Sequence, residues 1–177
     1  MSAYLLIIVA VLSRVIVLPH LAWLNFTAVG GSLLFFGARR PLRQAIIPVA
    51  LMAATDYYLT VYAYNYPFHV SAYLITWAWY AAVIVLGRAL LSRQVTALRV
   101  GAGVLVAPTS FFLITNFAAW LGSPLYPQNF AGLGMSYVAG LPFYRNDLIS
   151  TALVAGLAFG LPVLARQLTT HRQPAGV

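Results

Sequence analysis

The chain has no cysteine and no lysine, and only two of its 177 residues are acidic. Without cysteine there are no disulfides, thiolate metal sites, cysteine nucleophiles or thioether haem attachment. Without lysine there is no retinal or pyridoxal Schiff base. Charged residues make up 7% of the sequence and hydrophobic residues 62%, with a mean hydropathy of +0.88. A soluble domain carries about 25% charged residues, so this surface is written for lipid. No Gly-Ser nucleophile motif, HExxH or phosphate loop is present, and no catalytic residues are assigned. The sequence reads as a non-enzyme.

What charge there is lies in ten arginines, giving a net charge of +8. Arg39, Arg40, Arg43, Arg88, Arg93, Arg99, Arg166 and Arg172 occupy three stretches at alternate gaps between hydrophobic runs. Such clusters are retained on the cytoplasmic side of multi-pass proteins. They flank spans rather than forming an amphipathic basic face, which argues against nucleic acid as a partner and for bilayer headgroups.

A membrane span needs about 20 mostly apolar residues. Six segments qualify: 2–18, 21–38, 43–64, 70–91, 98–121 and 147–168. The expected fold is an all-α integral membrane protein, a six-transmembrane-helix bundle with both termini cytoplasmic. It forms a single domain over 1–168 with a short cytoplasmic tail at 169–177. The beginning lacks a basic n-region and a cleavage site, so it is expected to be a first span rather than a removed signal peptide. Gly30-Gly31 at the centre of the second segment suggests a broken or re-entrant helix. The connection 122–146 is rich in Gly, Pro and aromatics and reads as a long outer loop, either a functional lid or an interfacial segment. Ala152, Gly156 and Gly160 share a four-residue spacing that allows close helix contact, with internal packing the better reading.

Ionisable groups inside spans are functional candidates. Asp56 lies past the middle of span three, and its natural counterion is Arg14 on span one. The pair could lock two helices or line a pocket. Asp147 precedes the apolar run of span six, and an acid in the first turn complements the helix dipole, so capping is its expected role. Arg145 is the one arginine in an outer loop and could meet an anionic ligand group. His20 and His69 lie in outer gaps; two imidazoles alone make a weak zinc signal, and no metal site is assigned.

Aromatics are skewed to the outer side. Tyr57, Tyr58, Tyr62, Tyr64, Tyr66 and Tyr73 fall in one stretch, and Trp23, Trp77, Trp79 and Trp120 all map to the outer half. Tyr73, Trp77 and Tyr80 share a helical stripe, as do Phe112, Asn116 and Trp120. Each stripe alone fits bundle packing as well as a binding wall. Together with Asn25, Asp56 and Asn116 they describe a small-molecule pocket open to the outside.

Several stretches resemble a family of small bacterial membrane proteins assigned to transport. They are Leu18-Pro19-His20 with Asn25-Phe26-Thr27, Phe35-Phe36-Gly37-Ala38-Arg39, MAATDYYL around Asp56, Gly87-Arg88, ITNFAAWL at 114–121, Tyr126-Pro127 and Gly140-Leu141-Pro142-Phe143-Tyr144-Arg145-Asn146. That family looks related to the substrate-binding S components of energy-coupling-factor vitamin transporters. The resemblance implies a six-helix, S-component-like fold in the bacterial inner (cytoplasmic) membrane and uptake of a vitamin-sized molecule, with cobalamin or a related corrinoid as the first guess. For most such proteins it also implies a coupling subunit with ATPases as partner, whereas some relatives, cobalamin transporters among them, work alone. The Ala-xxx-Ala docking pair of span one is absent, however, since Ala10 is followed four residues later by Arg14. The cysteine that can lie beside cobalt is absent too, and Leu21 stands where the family often has proline. The expected binding residues are Arg14, His20, Asn25, Asp56, Tyr57, Tyr58, His69, Tyr73, Trp77, Asn116, Trp120, Tyr126 and Arg145, with no cofactor. Two other classes remain open. One is a non-transporting membrane scaffold or assembly subunit, and the other an intramembrane enzyme with a water-accessible acid–base pair beside Asp56.

Overall fold

The apolar runs fold into helices throughout the described part of the chain. The computed structural model describes residues 2–16 and 26–170, with 165–170 as backbone alone. Its helices are α1 (Ser2–Ile16), α2 (Val29–Arg39), α3 (Ile46–Tyr58), α4 (Val70–Leu91), α5 (Ala97–Gly122) and α6 (Phe130–Thr170). A short 3-10 turn, Leu42–Gln44, precedes α3, and a π-helical turn, Leu59–Ala63, continues it. Asn65 then takes a left-handed backbone (φ 55°) that reverses the chain, a conformation asparagine tolerates better than most residues.

The expectation of six spans is corrected. Among the described residues four helical segments are long and apolar enough to cross a membrane: Leu42–Ala63, Val70–Leu91, Ala97–Gly122 and Phe130–Leu164. Helix α1 is apolar but short. Helix α2 has 11 residues, ~16 Å at 1.5 Å per residue, about half a hydrocarbon core. It is nevertheless the centre of the bundle. Every residue from Val29 to Ala38 is buried, and α2 packs against α1, α4, α5 and α6. Gly30 and Gly31 lie in its first turn rather than mid-span. They admit Thr151, Val154 and Ala155 of α6.

The packing of α2 on α4 is closer still. A Cβ at Gly37 would strike the Ile84 carbonyl oxygen, and one at Gly87 would strike that of Leu34. Two backbones meet here without side chains between them, the arrangement small residues allow in bilayer proteins. Leu33, Leu34, Phe36, Met52, Val83 and Ile84 fill the surrounding core.

The expected outer loop 122–146 is also corrected. Only 123–129 is non-helical, and α6 begins at Phe130 and runs 41 residues through Pro142 and Pro162. The glycines and prolines that make this stretch look like a loop carry weak helix propensity, and tertiary packing overrides it. Ser136 donates to the Asn116 carbonyl at 2.8 Å and Tyr137 to that of Leu113 at 3.0 Å. The hydroxyls of Tyr144 and Thr109 are 2.9 Å apart. Gly140 is buried against the Asn116 side chain. In the turn, Trp120 Nε1 donates to Pro127 O at 2.9 Å, and Asn129 Oδ1 accepts from the Gly132 N–H at 2.9 Å to cap α6.

The internal-packing reading of Ala152, Gly156 and Gly160 is overturned as well. All three are exposed, with no atom near the glycines. The adjacent face, Thr151, Ala155 and Phe159, is the buried one.

Arginine marks one end of the bundle. Arg39 lies over the rings of Phe35 and Phe159, and Arg40 over Tyr4 at 4.5 Å. Tyr4 donates to Gln44 Oε1 at 2.9 Å, and Arg99 donates to Leu90 O at 3.3 Å.

Candidate functional site

The two ends of the bundle differ in chemistry. Away from the basic end, α1 brings Arg14 to α3, and Arg14 Nη2 forms an ion pair with Asp56 Oδ1. It is the one ion pair among the described residues. Arg14 Nη1 also donates to the Met52 carbonyl at 3.4 Å. Trp77 on α4 donates from Nε1 to Asp56 Oδ2 at 2.9 Å. Both carboxylate oxygens are thus satisfied in a residue only 4% exposed, which is the condition for holding a charge in a low-dielectric interior. One turn on, Thr60 donates to the Asp56 carbonyl at 2.7 Å, and its hydroxyl also hydrogen-bonds Tyr73. The π-helical turn supplies Thr60, and such turns frequently occur at functional sites.

A cavity of about 160 Å³ opens beside the pair, lined by Arg14, Asp56, Thr76, Tyr80, Phe111 and Asp147 among others. A second, of about 210 Å³, has Phe112, Asn116, Gly140 and Tyr144 in its wall and shares Phe111 and Asp147 with the first. A third hollow of about 520 Å³ lies between α4 and α5, touching Thr76 and Thr115. Polar and aromatic groups of five helices therefore converge in one half of the bundle.

Of the expected residues, Arg14, Asp56 and Asn116 line these cavities. Asn116 also donates to the Phe112 carbonyl at 2.8 Å. Trp77 holds the ion pair, and Tyr73 holds Thr60. Trp120 and Tyr126 belong to the α5–α6 turn, where Gln128 Nε2 donates to the Trp120 carbonyl at 2.6 Å. Tyr57, Tyr58, His69 and Arg145 are exposed. His20 and Asn25 lie outside the described residues. No group of three potential metal ligands occurs among the described residues.

The stripes separate into different tasks. Tyr73 and Trp77 stack with Phe68, whose ring lies 4.9 Å from Tyr73 and 5.1 Å from Tyr57. Phe68 is the hub of this cluster, and its lone position in the 3–4 gap gave no sequence signal. Tyr80 turns inward to the cavity. Phe112 packs on Tyr137 and Tyr144 of α6.

Asp147 is the main correction. It does not cap a helix but lies inside α6, 7% exposed. Thr151 Oγ1 donates to its Oδ1 at 3.4 Å, and Ser150 donates to its backbone carbonyl at 3.0 Å. With α6 expected to begin at 147, an acid there resembled a cap; with the helix starting earlier, the same acid becomes a wall of both cavities.

Trp77→Phe keeps the ring stack and removes the donor to Asp56. Because that bond reaches a charged group, the variant is expected to lose about 1.5–3 kcal/mol of unfolding free energy. Chemical denaturation in detergent measures it; no change in midpoint would mean that the indole N–H is dispensable.

These features define the class: a protein whose described residues are all-helical, with four helical segments of membrane-spanning length and composition and a polar, cavity-bearing half. The chain belongs to the Family of unknown function DUF6580, whose model matches residues 1–173. No curated protein and no solved structure matches it.

Proposed function

We propose that this chain is a multi-pass protein of the bacterial inner membrane that binds a vitamin-sized small molecule in its outer half and moves it inward. The arginine-rich end faces the cytoplasm, as the positive-inside rule requires, together with both termini. The observation that carries the reading is the pair of adjoining cavities walled by Arg14, Asp56, Asn116, Asp147 and aromatic rings. Apolar walls with a few convergent polar groups are the general form of a ligand site. Each of the two cavities is smaller than the usual pocket for a drug-sized ligand, about 300–1,000 Å³. They favour a single-ring vitamin or precursor over a corrinoid. The sequence has no ATP-binding motif, so transport is facilitated or driven by a partner, such as a coupling subunit with ATPases.

A membrane scaffold is the second reading. It is favoured by the full satisfaction of Asp56 and by the open small-residue face at Ala152, Gly156 and Gly160.

Native mass spectrometry of the detergent-purified protein, then a thermal-shift panel of vitamins and precursors, separates the two. A true ligand at a hundredfold excess over its dissociation constant stabilises by about 2.7 kcal/mol. A flat panel with no retained small molecule supports the scaffold.

A further inference from the structure

Three charged side chains stand around the adjoining cavities, and two of them cancel. Arg14 is committed to Asp56. Asp147 has no cationic partner among the described residues, and the Thr151 hydroxyl at 3.4 Å is a long, weak contact for its carboxyl. A buried carboxylate without a counter-charge is costly in a protein interior and more so within a bilayer. Asp147 is nevertheless placed where two cavities meet, and both include it in their walls. The remaining wall is suited to one kind of ligand. Phe111, Phe112 and Tyr144 present aromatic rings, whose faces attract cations, and Asn116 adds a neutral polar group.

We propose that the cavities around Asp147 form a binding site for a small organic monocation, a quaternary ammonium, protonated amine or N-alkylated heteroaromatic ring, with Asp147 as its counter-ion. The assignment rests on the ligand-binding reading above and narrows it to a charge class. An anionic ligand would meet the Asp147 charge, while the Arg14 guanidinium in the same wall is already neutralised by Asp56. Calcium and magnesium require a shell of six or more oxygens, and of the two carboxylates in these walls Asp56 is already taken by Arg14 and Trp77.

The test uses the full chain in nanodiscs and shape-matched probe pairs that differ in charge: choline against its uncharged isostere 3,3-dimethylbutan-1-ol, and 1-methylnicotinamide against nicotinamide. Wild-type protein is expected to bind at least one cation about tenfold or more tighter than its isostere. Asp147→Asn is expected to lose on the order of a hundredfold in that affinity, because the bound cation is left without its counter-ion, while the ligand-free melting temperature holds or rises. A wild-type protein that prefers neither cation, or binds neither, overturns the assignment, as does stabilisation by sodium or potassium alone. An Asn variant that binds cations as wild type does overturns it too. If that variant does not fold, the wild-type comparison decides. A neutral vitamin that still stabilises the protein would leave the binding reading standing and remove only its cationic form.

Discussion

Arg14→Leu is expected to cost about 3–5 kcal/mol of unfolding free energy, the largest single-residue electrostatic effect in the molecule. The substitution leaves Asp56 charged, 4% exposed and with Trp77 as its remaining side-chain partner. The loss comes from the stranded carboxylate more than from the missing attraction. Removing both charges in Arg14→Leu/Asp56→Leu should therefore recover a substantial part of it, because paired buried ions are often replaceable by apolar residues. Denaturant titration in detergent, followed by tryptophan fluorescence, reads all three variants. A single-variant loss under about 1 kcal/mol would place the pair with weakly coupled surface ion pairs. Losses that simply add in the double variant would deny the coupling.

Gly37→Ala and Gly87→Ala are expected to be nearly as damaging, for a steric reason. The added methyl at either position meets a backbone carbonyl of the facing helix rather than a movable side chain. Relief requires α2 and α4 to separate along the most buried interface of the fold. Overpacking of a well-packed core costs about 1–3 kcal/mol and occasionally more. Gly156→Ala and Gly160→Ala provide the internal comparison. Both positions face open space, so the change should gain about 0.5–1 kcal/mol from helix propensity. Unfolding midpoints of the four variants check the contrast. Equal effects at all four positions would mean that the α2–α4 contact is not close-packed.

The legible parts of the fold are those where one segment decides by itself. Residues 70–91 were expected as a span and are α4 to the residue; 98–121 corresponds to Ala97–Gly122. Both are long apolar runs whose arginines, Arg88 and Arg99, fall only in the last and the first turn, so hydropathy and length suffice. The Arg14–Asp56 pair was legible because charges are so scarce. With two acids in the chain, an arginine in an apolar helix has few possible partners. The start of α6 was not legible. Its first seventeen or so residues are held helical by α5 through Ser136, Tyr137, Gly140 and Tyr144, and those bonds are invisible to local composition.

The sequence by itself determined the apolar, helical class, the end that carries the arginines and the ion pair found among the described residues, because each follows from how few charges there are and where they fall along the chain. Tertiary structure alone decided that an 11-residue helix forms the centre and that Gly156 and Gly160 face outward. It also decided that Phe68 joins the aromatic cluster and that Asp147 stands at two cavities instead of capping a helix. Each of those depends on which helix face meets which neighbour, and in a chain apolar on nearly every face that choice is made by close packing of glycines and by a handful of hydrogen bonds, neither of which has a period in the sequence.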